Sequence, residues 1–62
     1  MAYDGMTKKD LKLIEQARNT PYEQWMLIAD LILQAETEEA KSELHFIESS
    51  KYHTDEYFSG LL

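Results

Sequence analysis

Sixty-two residues with a formal net charge of −6 and no cysteine leave room for one small domain and exclude disulfides and thiolate zinc sites. A chain this short buries only about 60% of the surface that it exposes when unfolded, so stability must come from regular helix packing or self-association. The charge is uneven. Residues 1–20 carry four cations against three acids, and residues 21–62 carry two against nine. Phosphates would repel that acidic majority, which argues against duplex-wide nucleic-acid binding.

Glycine occurs twice and proline once, and the apolar positions follow helical rather than alternating periodicity. The fold expectation is all-α, a small three-helix bundle with a short C-terminal tail. The alternative is a dimeric helical hairpin in which the second helix is one long rod. Residues 1–6 lack periodicity and read as a loose arm, with Met6 a candidate native start. Residues 1–10 hold two acids and no apolar run, so no secretory signal is read. The longest apolar stretch, Trp25 to Ala29, is far short of the roughly 20 residues of a membrane span. A cysteine-free chain also fits a reducing compartment, and the expected location is cytoplasmic.

Thr7 is an N-cap with Asp10 three residues on, and the first helix is predicted over about Lys8–Arg18. Its apolar face joins Leu11, Leu13, Ile14 and Ala17. Asn19-Thr20-Pro21-Tyr22-Glu23 punctuates the chain. Asn19 closes the first helix in a left-handed conformation, Thr20 caps the second, Pro21 takes its first position and Glu23 completes a capping box.

The second helix, about Pro21–Ala35, is apolar nearly all round. One arc holds Tyr22, Trp25, Met26, Ala29, Ile32 and Leu33, and a second holds Leu27, Ile28, Leu31 and Ala35. Such a helix is buried on more than one side and becomes the central element. Thr37 caps a third helix, about Glu38–Lys51, whose stripe of Ala40, Leu44 and Ile47 is narrow and leaves Phe46 to one side. Thr54 caps a last turn ending at Gly60, and Tyr57, Phe58, Leu61 and Leu62 fold back over the third helix near Phe46. The expected core is Leu11, Ile14, Ala17, Trp25, Ala29, Ile32, Leu33, Leu44 and Ile47.

The chemistry-bearing residues are few. His45 and Glu48 share a helix face and His53 precedes Asp55 and Glu56, but a bundle metal site needs several such pairs converging from different helices. No nucleophile elbow, phosphate loop or dinucleotide fingerprint is present. No enzyme, metal or cofactor is therefore expected. The function expected is a non-catalytic protein–protein interaction module, self-associating or binding a protein partner, with Leu27, Ile28, Leu31, Ala35 and Phe46 as its surface. Two other classes fit less well. One is an acidic inhibitor whose Glu38, Glu39 and Glu43 imitate nucleic-acid phosphates. The other is a DNA-binding protein using Lys8, Lys9, Lys12 and Arg18, although helix two is too apolar and helix three too acidic to read a groove.

Overall fold

The computed structural model describes residues 6–60. Among them the chain forms three α-helices and no strand: α1 over Lys8–Asn19, α2 over Leu27–Gln34 and α3 over Glu38–Gly60, with a 3-10 turn at Tyr22–Gln24. This is the small all-α three-helix bundle expected. No helix among the described residues is long and apolar enough to cross a membrane. Of the expected arm and tail, residues 1–5 and Leu61 and Leu62 lie outside the described residues. Met6, expected in that arm, is half-buried and packs against the core.

The core is built from one face of each helix: Leu13, Ile14 and Ala17 of α1, Ile28 and Leu31 of α2 with Ala35 at its end, and Ala40, Leu44 and Ile47 of α3. α3 packs against α1, α2 and the 3-10 turn. The central element is therefore α3, not the second helix. At 1.5 Å per residue it is about 34 Å long, and it sets the long dimension of a 42 × 20 × 16 Å molecule.

α1 begins as its sequence predicts. Thr7 is extended, and its hydroxyl accepts the Asp10 N–H at 3.1 Å. Its end differs. No non-glycine residue among those described has positive φ, so Asn19 makes no left-handed cap. Thr20 instead turns back on α1, donating its hydroxyl to the Gln16 carbonyl at 2.9 Å and its N–H to the Ala17 carbonyl at 3.1 Å. Lys51 of α3 adds its ammonium to the Arg18 carbonyl at 3.2 Å. Three of the carbonyls that a helix leaves open are thus satisfied, one by a cation at the negative end of the dipole.

The predicted second helix is split. Pro21 is extended at φ −59° and ψ 147°, Tyr22–Gln24 form the 3-10 turn, and regular α-helix starts only at Leu27. The Thr20–Glu23 capping box does not form, because Thr20 is already committed to α1. The tighter turn lets Tyr22 reach Phe58 (ring centroids 5.4 Å apart) and Trp25 meet Tyr52 edge-on at 4.9 Å. These tertiary contacts outweigh the local preference for continuous helix.

Gln34 is followed by a break. Ala35 is extended at ψ 143°, so α2 and α3 are separate helices and the long-rod alternative does not apply. The Thr37 hydroxyl caps α3 by accepting the Ala40 N–H at 3.3 Å. Beyond Lys51 the helix simply continues. Thr54 donates back to the Ser50 carbonyl at 2.9 Å rather than starting a new turn, and no fold-back of Tyr57 and Phe58 occurs.

Candidate interaction surface

The apolar residues of α2 sort in the reverse of the expected sense. Ile28, Leu31 and Ala35, expected to face a partner, are in the core. Ala29 and Leu33, expected in the core, face solvent, with Leu33 83% exposed, as does Met26 of the same arc. Ile32 sits half-buried at the border, Trp25 is half-buried, and Leu11 of α1 is exposed. Sequence periodicity finds both apolar arcs of the segment but carries no sign to say which is inside. The sign comes from the Ala35 break and the 3-10 turn, which together set the rotation of α2 against α3.

Of the five residues assigned to an interaction surface, Leu27 (53% exposed) and Phe46 (72%) are open to solvent; Ile28, Leu31 and Ala35 are not. Sequence reasoning missed Met26, Leu33 and Tyr57. The signal that could have found Tyr57 is its place eleven residues after Phe46, three helical turns along the same side of α3. Phe46, Ser49, Ser50, His53, Thr54 and Tyr57 line an open groove of about 500 Å³ on that side.

The polar groups near the opposite end form a latch. Asp10, completely buried, accepts the Glu36 N–H and the Thr37 hydroxyl, each at 2.8 Å. The Thr7 hydroxyl donates to the Glu36 carboxylate at 2.8 Å. The Glu36 N–H is the main cause holding the Asp10 carboxyl below its ordinary value; burial pushes the other way, and the Thr37 hydroxyl adds to the lowering. One carboxylate thus ties the first turn of α1 to the two residues that lead into α3, near a helix N-terminus where the dipole favours negative charge.

The remaining charges are on the surface. Arg18 meets Glu43 at 3.5 Å across α1 and α3, and Lys41 meets Glu38 at 3.8 Å, the local pair its spacing suggests. Glu48 lies 3.8 Å from His45, and Lys51, three residues on from Glu48, bonds to the Arg18 carbonyl of α1 instead. Lys8, Lys9 and Lys12 point into solvent. The Tyr52 hydroxyl donates to Glu56 at 2.8 Å, and that carboxylate raises the phenol's pKa. Among the described residues no three His, Cys, Asp or Glu side chains converge as metal ligands would. Compared with protein-family models, curated proteins and solved structures, the chain matches none.

Proposed function

We propose that this chain is a non-catalytic helical interaction module that associates with itself. The observation that carries the reading is a count. Eight large apolar side chains are exposed among residues 6–60 (Leu11, Met26, Leu27, Leu33, Phe46, Tyr52, Tyr57 and Phe58), against six in the core (Leu13, Ile14, Ile28, Leu31, Leu44 and Ile47). Scattered exposed apolar groups are ordinary, but more outside than inside is not what a self-sufficient small core needs. Seven of the eight, all but Leu11 of α1, lie on α2, just before it at Met26, or on α3; they have the character of an association surface, and the aromatic ones are of the type that anchors such surfaces. Association would stabilise the folded chain by mass action. Light scattering coupled to size exclusion tests the reading: the apparent mass should rise from one chain toward two as concentration increases. A mass of one chain at every concentration would reject it.

A further inference from the structure

We infer that the partner is a second copy of this chain, docked antiparallel along α3 on a seam made by Phe46, Ser50, His53 and Tyr57. The inference rests on the self-association reading and adds the face and the geometry. At about 100° per residue these four side chains fall within an arc of about 60°, roughly a third of a turn round from the core stripe of Ala40, Leu44 and Ile47. Their separations are four, three and four residues, the rhythm by which helices interdigitate.

That rhythm is a palindrome. Phe46 and Tyr57 stand equally far from the point midway between Lys51 and Tyr52, and so do Ser50 and His53. A twofold axis at that point sets Phe46 of each copy against Tyr57 of the other, and Ser50 against His53. The same patch then serves both chains, as a closed twofold dimer requires. The two rings stand at the ends of an open groove lined between them by Ser49, Ser50, His53 and Thr54, which leaves the opposing side chains room to enter.

Charge selects the occupant and its direction. The chain carries −6, yet none of the four seam residues Phe46, Ser50, His53 and Tyr57 is a carboxylate, lysine or arginine; Glu48, Lys51, Asp55 and Glu56 fall outside the seam's arc. Glu39 and Glu43 lie on the same side of α3, nearer its start. In a parallel pair each would meet its own twin. In the antiparallel pair Glu43 falls opposite Gly60 and Glu39 beyond the end of the partner's α3, so no carboxylate faces another. The area is modest. Phe46 and Tyr57, 72% and 64% exposed, offer on the order of 250 Å² per copy, against about 800 Å² per side in a stable complex. The dimer is a weak, reversible one.

Isotope-filtered nuclear Overhauser spectra of mixed labelled and unlabelled intact chains test the geometry without substitution. Within one chain Phe46 and Tyr57 are about 16 Å apart along the helix, too far for a cross-peak. A Phe46–Tyr57 cross-peak between labelled and unlabelled chains is the expected result. Alongside it, Ser50→Lys sets a charge beside the axis in both copies. Sedimentation equilibrium should show its Kd weakened at least tenfold, with helical circular dichroism unchanged. Cross-peaks from Phe46 to Phe46, or a dimer that Ser50→Lys leaves intact, would overturn the seam while the module reading stands; Leu33→Glu would then ask whether α2 makes the contact. A monomer at all concentrations would overturn both.

Discussion

Asp10 is the one fully enclosed charged side chain among the described residues, and nothing about a second residue of a weak capping box announces it. Its partners are a backbone N–H and a hydroxyl 26 and 27 residues away, and sequence spacing cannot see such a contact. Two predictions follow from its geometry. Asp10→Ala removes both acceptors and should lower the thermal midpoint more than Asp10→Asn, which keeps one. Because folding lowers its pKa, the ionised group stabilises the protein fully above the ordinary value of 3.8, and that contribution is lost as pH falls below it toward the folded value. Melting curves through that acid range should fall more steeply for the native chain than for Asp10→Asn. In the core, Leu44 is completely buried, so Leu44→Ala should cost about 2–5 kcal/mol, enough to threaten so small a domain. Trp25 is only half-buried against Tyr52. Trp25→Ala should therefore cost less than Leu44→Ala, as denaturant midpoints of the two variants would show.

At the scale of elements, the caps with short-range signatures were legible. Thr7 starts α1 and Thr37 starts α3 where their side chains predict, since an N-cap is a contact within one turn. Thr37→Ala should cost more than the roughly 1 kcal/mol of an ordinary cap, because Asp10 loses a donor at the same time. The breaks were harder to read. Thr20-Pro21-Tyr22-Glu23 looks like a helix start, yet Thr20 serves the preceding helix, and the aromatic pairing with α3 holds the next residues in a 3-10 turn. The extension of α3 past Lys51 was missed because Thr54 reads as the cap of a separate last turn, whereas its hydroxyl bonds back to the Ser50 carbonyl within one continuous helix. The core stripe of α3 ends at Ile47. Amide exchange should accordingly be slowest near Ile28 and from Leu44 to Ile47, and should quicken toward Gly60, beyond the core stripe, where Tyr22 and Trp25 lie against Phe58 and Tyr52.

For the whole molecule, the fold class was readable and the surface was not. Helical periodicity and the lack of glycine and proline suffice for an all-α bundle. Which arc of a doubly apolar helix turns inward depends on how three axes cross, and that is a property of the assembled core. Phe46 was found because it sits off its own helix's stripe; Tyr57 was not, because it was placed in a tail rather than three turns along the same face. The result is a small core carrying a partly apolar shell, for which we propose contact with another copy. A dilution series followed by NMR of the intact chain tests that claim most directly. The ring resonances of Phe46 and Tyr57 should move together with concentration while the methyls of Ile28 and Leu44 stay fixed. Ring resonances that hold still from the most dilute to the most concentrated sample would contradict it.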